Sequence, residues 1–547
     1  MTEKTASRVK QSFIAGSLTS SAGVFLAKTI GLFYVVPFTA LAGTENMSFY
    51  SAAYTYYNVL LQICSAGLPY AISAIVAKYA NRDDYKTVIL VRKLSTAILS
   101  VSGFFMAILF VLISSSQARK ILGAGAGPED ITILINCFKI LAVALFLVPV
   151  LFSYRGFYQG LKDLKVYADS QVLEQFARVG SLLGLGFILV KILRMNRIWA
   201  IYMAILATSI GALASIIYYV RYDHRHYGPI ARAARAQTKD PVETKEILIE
   251  IFAFGMPYLL SSILGNTQTL INTRYFITTA TQLGMDYEAA KLVYGIIEMQ
   301  CDKLASIPQV LGIGFSAGIV PYMTIALENQ NMEELRKNIR DCLDTVLYIG
   351  VPICFAMAML SRPVYFVMYG GRTLDYGGTC LAVYSLLALC TTLTPICNSM
   401  MMTLHLRREV IFYLCVGFAV KCISFYPLLK YTGYTGAITS SVLTSLTIIY
   451  LDLAKLNNRF GATYQATGRR LIKILLACFC MNAVFVLFRL VGFTISESSR
   501  LIALVQLGIQ GICGMAVYLY MTNLMKVPQA IFHKSLGEIA RRLMQRG

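Results

Sequence analysis

Three basic residues interrupt apolar stretches that are long enough to cross a membrane. They are Lys28, Arg274 and Lys303, in a sequence of 547 residues. A bilayer core of roughly 30 Å needs about 20 apolar residues per helix. A cation inside such a helix is costly, so it indicates a functional site. We therefore expect these three residues to attract an anionic group into a water-filled cavity at membrane depth.

Carboxylates at helical spacing accompany two of the cations in the apolar stretches. Glu174 and Arg178 are four residues apart, so they can form a structural ion pair along one helix face. Glu298 and Asp302 lie on turns next to Lys303. Asp302 could hold Lys303 or a cation of another helix in place, or it could itself take up a cation.

Prolines inside the apolar stretches are candidate hinges. A proline frees backbone groups of its helix, and neighbouring helices must then satisfy those groups. Rocking of two halves of the molecule would use such weak points. The hinge candidates are Pro69, Pro149, Pro308 and Pro321.

Fourteen predicted membrane spans must position these residues. Hydrophobic residues make up 57% of the sequence and charged residues only 14%, which excludes a soluble enzyme and a disordered chain. The sequence thus predicts an all-α polytopic membrane protein. The predicted spans are 13–41, 48–77, 89–114, 131–153, 170–190, 198–220, 247–278, 290–323, 342–361, 378–403, 411–429, 434–454, 474–488 and 501–525.

Basic residues are distributed unequally between the two sides of these spans. The net charge is +21, and the connections on the side of the N-terminus hold 32 Lys and Arg residues, against ten on the other side. Basic loops stay in the cytoplasm, so both termini are predicted to be cytoplasmic. The excess charge faces anionic lipid headgroups, and no nucleic acid partner is expected.

A metal site or a bound cofactor is not expected. The 13 cysteines lie mostly within the predicted spans and form no CxxC pair, as buried apolar residues do. His224 and His226 flank an arginine in a predicted loop, without a cluster of thiols or carboxylates beside them. The sequence contains no GxxxxGK(S/T) nucleotide loop.

One six-helix unit recurs along the sequence. The segment Ser-Ala-Gly-Leu-Pro-Tyr at 65–70 is echoed by Ser-Ala-Gly-Ile-Val-Pro-Tyr at 316–322, and Pro149 is echoed by Pro395 at nearly the same offset. An even number of spans gives both units the same direction in the membrane. Two such lobes would enclose a central cavity and work by alternating access.

The predicted order of domains follows from this repeat. An N-lobe (1–220) is joined by a cytoplasmic linker (221–246) to a C-lobe (247–456), and two further helices (457–525) precede a tail (526–547). The tail places its apolar residues roughly on one helical face. It is therefore either an amphipathic helix on the cytoplasmic leaflet or a soluble helix packed on the cytoplasmic loops.

Five motifs of this sequence form a recognisable set. They are Ala27-Lys-Thr-Ile-Gly-Leu-Phe-Tyr34, Ser65-Ala-Gly-Leu-Pro-Tyr-Ala-Ile-Ser73, Arg155-Gly-Phe-Tyr-Gln-Gly160, Ser170-Gln-Val-Leu-Glu-Gln175 with Arg178, and Asp302-Lys-Leu-Ala-Ser-Ile-Pro308. The set resembles the polysaccharide-biosynthesis exporters of the multidrug/oligosaccharidyl-lipid/polysaccharide (MOP) superfamily. Within them it is similar to the Gram-positive branch, with the MurJ-like lipid II flippases and the stage V sporulation protein B group. The resemblance covers the first twelve spans.

The resemblance implies fourteen helices, twelve of them in two lobes, in a bacterial plasma membrane, and export of an undecaprenyl-pyrophosphate-linked sugar. Lipid II for peptidoglycan synthesis is the favoured substrate, which implies a role in cell-wall biogenesis and cell shape. Capsule or teichuronic-type repeat units are the alternative. The implied partners are this lipid, membrane lipids and the cell-wall synthesis machinery. Lys28, Arg274 and Lys303 would bind the diphosphate.

The sequence departs from the family at several charged positions. Gram-negative MurJ-like proteins carry further arginines where this chain has uncharged residues near 34 and 61, and Lys28 and Lys303 replace arginines at the matched positions. Lysine acts as a point charge, whereas arginine grips a diphosphate in a bidentate fork. The eleventh span carries Lys421 and no acid, so sodium coupling is not expected.

Two other functions are compatible with a many-helix membrane protein. A drug exporter of the same superfamily binds organic cations and needs an acidic, aromatic cavity, which the three cations disfavour. A membrane enzyme that joins lipid-linked sugars needs a catalytic carboxylate or histidine on a sizeable extracytoplasmic loop, whereas the predicted outer loops are short. The sequence therefore predicts a transporter and not an enzyme.

Overall fold

The computed structural model describes residues 34–65, 67–238 and 240–532. These residues form α-helices joined by short turns, and no strand occurs among them, which confirms the all-α prediction. Lys28 and the tail from residue 533 onward lie outside the described residues, so what the sequence predicts for them stays a prediction.

Two compact units divide the chain, one ending at Gly295 and the other beginning at Ile296. The first contains α1 (Val35–Ala42), α2 (Met47–Ser65), α3 (Leu68–Ala80), α4 (Tyr85–Leu122), α5 (Pro128–Gly160), α6 (Leu164–Phe187), α7 (Ile198–Ala236), α8 (Thr244–Gly265), α9 (Thr267–Gln282) and α10 (Tyr287–Gly295). The second contains α11 (Asp302–Glu328), α12 (Met332–Met359), α13 (Ser361–Tyr369), α14 (Leu374–Thr403), α15 (Arg407–Thr432), α16 (Gly436–Phe460), α17 (Gln465–Leu490), α18 (Arg500–Leu524) and α19 (Val527–Phe532). Short π-helical segments are Ile188–Ile192 and Ile296–Cys301, and 3-10 turns are Thr44–Asn46 and Gly433–Thr435. The lobe boundaries expected from the sequence repeat stay predictions.

Nine helical stretches of the described part are long and apolar enough to cross a membrane, judged by length and composition, with α15 and α16 counted as one stretch. Their surfaces carry large apolar side chains; Ile423, Leu501 and Ile512 are 75, 76 and 73% exposed. An extended apolar surface is stable against lipid acyl chains and costly in water. The protein is therefore a multi-pass membrane protein, and the number of fourteen spans stays a prediction.

Two predicted spans are each divided into two helices. The second span breaks between α2 and α3 at Gly67, whose φ of 77° is a left-handed conformation that glycine adopts without strain. Pro69 follows in the first turn of α3, where a missing N–H leaves no helical bond unmade. The seventh span breaks between α8 and α9 at Asn266, whose side-chain amide donates to the carbonyl O of Ser262 at 2.8 Å and to Oε1 of Gln62 at 3.0 Å. Asparagine competes with the helical backbone for hydrogen bonds, so the helix is interrupted there.

Helix α7 continues through the first part of the predicted linker and ends at Ala236. Its charged end is held by α4 and α5, because Asp223 forms an ion pair with Arg92 and accepts a hydrogen bond from the Tyr158 hydroxyl. This part of the linker is therefore an anchored helix and not a loop.

Helix α5 packs tightly on α3 through two glycines of the motif that begins at Arg155. A Cβ atom at Gly156 would lie 2.8 Å from the carbonyl O of Pro69, and one at Gly160 would lie 2.7 Å from the carbonyl O of Ser73. Neither separation leaves room for a side chain in a close-packed interior. The motif at 155–160 is thus in direct contact with the motif at 65–73, because its glycines pack against the backbone of α3.

Replacing Gly160 by alanine should lower stability, because the added methyl group has no room against α3. We expect the free energy of unfolding to fall by about 1–3 kcal/mol, measured as a lower thermal midpoint of the purified protein in detergent. Gly184→Ala in α6 is the matched control, since nothing lies within 4 Å of a Cβ atom there; it should leave the midpoint unchanged or raise it. Equal midpoints for the two variants would contradict the close contact.

Candidate functional site

Arg274 is fixed where two helices of the first unit meet. It lies on α9, and its Nη1 atom donates a hydrogen bond of 2.7 Å to the carbonyl O of Lys120. Lys120 is in the last turn of α4, where carbonyl groups lack helical partners and carry the negative end of the helix dipole. Arg274 also lies about 12 Å before the end of α9, at 1.5 Å per residue. The guanidinium therefore lies at the C-terminal end of α4.

A pocket of about 430 Å³ surrounds this guanidinium. Its lining includes the basic residues Arg119, Lys120 and Arg274, of which Arg119 and Lys120 are exposed, and none of the described residues that line it is acidic. Three like charges around one space repel one another, so the space attracts an anion. The other lining residues are Gly123, Ala124, Ala126, Ile131 and Thr278.

Sequence reasoning missed Arg119 and Lys120 as candidate binding residues, because it assigned both to an outer loop. A glycine-rich run, Gly-Ala-Gly-Ala-Gly at 123–127, follows them directly and precedes α5. A glycine-rich turn before a helix N-terminus is a common phosphate-binding arrangement. That combination of a dibasic pair, glycines and a helix start is the signal that could have identified them.

Lys303 lies at the start of α11 in the second unit, beside Asp302. The Asp302 carboxylate accepts a hydrogen bond from the Tyr384 hydroxyl at 3.2 Å, and no ion pair of Lys303 occurs within the described part of the chain. The π-helical segment Ile296–Cys301, which includes Glu298, comes directly before them. Such segments are frequent at functional sites. The binding roles of these residues stay predictions.

Glu174 has a different ion-pair partner from the one that helical spacing suggests. Its Oε2 atom accepts a hydrogen bond of 2.6 Å from Nη2 of Arg155, which joins α6 to α5. Arg178 instead donates to the Tyr54 hydroxyl at 2.8 Å and lies over the Tyr54 ring at 5.3 Å. The expected pair within one helix is thus replaced by a pair between helices, because packing brings the guanidinium of α5 directly onto the carboxylate.

Lys421 is fully buried on α15. Its Nζ atom donates to the carbonyl O of Ala437 at 3.0 Å and to the hydroxyls of Ser440 and Ser441 at 2.7 and 2.8 Å. These three acceptors satisfy the three ammonium donors. Lys421 therefore joins α15 to α16, and this cation of the eleventh span has a structural role.

The hinge candidates occupy three helices. Pro149 lies inside α5, Pro308 and Pro321 lie inside α11, and Pro69 begins α3. Their part in any movement stays a prediction. Among the described residues, no group of three or more His, Cys, Asp and Glu side chains is placed to hold a metal ion.

A family model described as polysaccharide biosynthesis protein matches residues 13–328. The chain belongs to this family. The lipid II flippase MurJ of Bacillus subtilis strain 168 is 24% identical over 514 residues, which cover 93% of this chain and 94% of that protein. Stage V sporulation protein B of the same organism is 22% identical over 362 residues, or 66% of this chain and 67% of that protein.

Solved structures of the superfamily share the fold of this polysaccharide biosynthesis protein. Lipid II flippase MurJ in an inward closed conformation matches with a TM-score of 0.66 at 14% identity, over 93% of this chain and 99% of that chain. An inward-facing multidrug resistance MATE family transporter matches with a TM-score of 0.62 at 16% identity, over 79% of this chain and 98% of that chain. The protein therefore has the fold that these transporters share.

Breaking the ion pair between Arg155 and Glu174 should destabilise the protein, because a mostly buried guanidinium would lose its partner. The two side chains are 11 and 20% exposed, so we expect Glu174→Gln to cost about 1–3 kcal/mol. The matched control is Asp375→Asn, which removes the carboxylate of a largely exposed pair with Arg362 and should cost less than about 1 kcal/mol. Thermal midpoints compare the two; equal losses would show that burial does not govern the effect.

Proposed function

We propose that the protein is a flippase that exports an undecaprenyl-pyrophosphate-linked sugar, and that this substrate is lipid II. Cations within the apolar stretches carry the proposal, because positive charge at Lys28, Arg274 and Lys303 suits a diphosphate at membrane depth. The sequence relatives support it, since the protein named lipid II flippase MurJ aligns with 93% of the chain. Membership of the polysaccharide biosynthesis family supports a substrate that contains a sugar.

Lys28, Arg274 and Lys303 attract the diphosphate away from water and into the protein. Arg274 uses one guanidinium edge on the carbonyl of Lys120 and keeps further donors for a phosphate, which arginine binds in a bidentate fork. The two lysines act as point charges. The prenyl chain stays in the bilayer, because each buried CH₂ group contributes about 0.8 kcal/mol.

The membrane potential favours this direction of transport. Outward movement of a negative charge across a membrane with an inside-negative potential gains about 2.3 kcal/mol per charge per 100 mV. A diphosphate that carries about two such charges gains twice that amount, so export proceeds without ATP. Alternating access of two lobes, with proline-containing helices as hinges, supplies the path.

The same cations argue against export of organic cations. A drug exporter of that kind would need carboxylates where this chain places Arg119, Lys120 and Arg274. The structural match to a MATE transporter, at 16% identity, concerns the fold alone.

The proposed direction requires cytoplasmic termini and a cytoplasmic 221–246 segment, as the charge bias predicts. In a variant lacking all 13 native cysteines, Asp286→Cys should react with a membrane-impermeant maleimide added to intact cells, and Arg235→Cys should not. Both positions are exposed on the described protein, so the side of the membrane decides the labelling. The reverse pattern would overturn the orientation.

Neutralising Lys303 should stop transport, because the substrate needs positive charge at that position. Lys303→Gln should fail to rescue growth of a strain depleted of its lipid II flippase, at normal protein level. Lys303→Arg should retain much of the rescue, since it keeps the charge. Growth of the depleted strain is the measurement, and the wild-type chain must support it.

The control for this prediction is the double variant Asp302→Asn/Lys303→Gln. If Lys303 only balances Asp302, removing both charges leaves nothing unpaired in low dielectric, and growth should return. Rescue by the double variant would reject the binding role of Lys303. No rescue by the wild-type chain, despite normal expression, would reject lipid II as the substrate.

A further inference from the structure

We propose that Arg119, Lys120 and Arg274 form a phosphate-binding site at the extracytoplasmic end of the first unit. The ligand is the diphosphate of a lipid-linked sugar, held there as it leaves the protein. The identity of this ligand rests on the proposed function, whereas the preference for a phosphate group rests on the pocket alone. The site adds Arg119 and Lys120 to the residues that handle the substrate.

The positive charge of the pocket is not neutralised by the nearest acids of α5. Asp130, in the first turn of α5, already accepts hydrogen bonds from Lys291 at 2.7 Å and from Tyr287 at 2.8 Å. Glu129 of the same turn is exposed and does not line the pocket. Arg274 retains guanidinium donors beyond the one bonded to Lys120. An anion would therefore meet three cations and no competing carboxylate from these residues.

The start of α5 adds partial positive charge at the pocket, opposite to the negative end of α4. Gly123 follows the last residue of α4 with a φ of 79°, and the chain then turns into the N-terminus of α5. Ile131, in the first turn of α5, lines the pocket. The N-terminus of a long helix carries about half a positive charge, which favours phosphate groups. The helix end and the three side chains therefore favour the same ligand.

The hydroxyl of Thr278 is independent evidence for a polar ligand. Its Oγ1 atom is buried and has no hydrogen-bond partner among the residues that the structure describes. A Cβ atom at Gly123 would lie 3.0 Å from it, so the chain at this glycine covers the hydroxyl. A buried hydroxyl without a partner costs about 1–3 kcal/mol. A small shift of the chain at Gly123 would expose the hydroxyl to a phosphate oxygen, which would accept its hydrogen bond.

The predicted orientation also sets these cations apart. Arg119 and Lys120 lie on the predicted extracytoplasmic side, whose connections hold only ten Lys and Arg residues. The positive-inside rule does not explain basic residues on that side. That side is where an exported diphosphate must arrive. The volume of about 430 Å³ lies within the usual range of small-molecule sites, about 300–1,000 Å³. It is large enough for a diphosphate.

Binding of farnesyl diphosphate, a short prenyl diphosphate, to the purified full-length protein tests the site. Arg119→Gln/Lys120→Gln should bind it at least about tenfold more weakly than the wild-type protein, because two charge-assisted contacts are lost. The matched control is Lys191→Gln/Arg194→Gln, which removes two exposed cations from the same unit and the same predicted face. The control should change affinity less than about twofold. Equal weakening in both would overturn the site.

Thr278→Val provides a second test, because it keeps the shape of the side chain and removes the hydroxyl. We expect about threefold or greater weakening of farnesyl diphosphate binding, with a thermal midpoint that is unchanged or higher. A higher thermal midpoint with unchanged binding would show that the unpaired hydroxyl only lowers stability and does not contact the ligand. That result would count against the site.

Competition with phosphatidylglycerol separates the two lipid sources of a phosphate. We expect an excess of phosphatidylglycerol to leave farnesyl diphosphate bound; displacement at equal concentration would make the pocket a phospholipid headgroup site and overturn the assignment to substrate. Unchanged binding in the Arg119→Gln/Lys120→Gln variant would refute this pocket without affecting the flippase proposal, which depends on the growth of cells that carry Lys303 variants.

Discussion

A charge in the low-dielectric interior of a membrane protein is stable only where another charge or a set of hydrogen bonds offsets the loss of water. Several buried charges in each unit follow this constraint. Lys421 satisfies it with three neutral oxygens. Others form ion pairs, namely Arg92–Asp223, Arg155–Glu174, Lys291–Asp130 and Arg470–Asp344. Each pair joins residues from different helices, so matching the charges also selects which helices are neighbours.

The pocket at the end of α4 differs from this pattern. Its three cations have no acid among the described lining residues, two of them (Arg119 and Lys120) are exposed, and their like charges favour an anion. The structure thus separates charges that hold helices together from charges that are left for a ligand. Stability depends on the first group. The proposed transport of a lipid-linked diphosphate depends on the second, because a transporter must release what it binds and so cannot neutralise its own binding site.

The sequence predicted the helical membrane fold and the family, because apolar length and short motifs are local properties. Helix breaks were harder to predict. Gly67 could have been recognised from its residue type, whereas the break at Asn266 also involves Gln62 of another helix. Charge partners were harder still: helical spacing suggests Arg178 for Glu174, yet packing supplies Arg155. In the sequence, a pair of basic residues at a helix C-terminus has the same pattern whether it only stabilises the helix through its dipole or also binds a ligand.

Transport by the purified protein in liposomes tests the central claim most directly. Fluorescent lipid II is incorporated with the protein, and its movement between leaflets is followed by chemical quenching from outside. We expect lipid II to cross faster with the protein than in protein-free liposomes, and faster still when an imposed potential drives negative charge in the direction of movement. Lipid II that crosses no faster than in protein-free liposomes, at any imposed potential, would contradict the account.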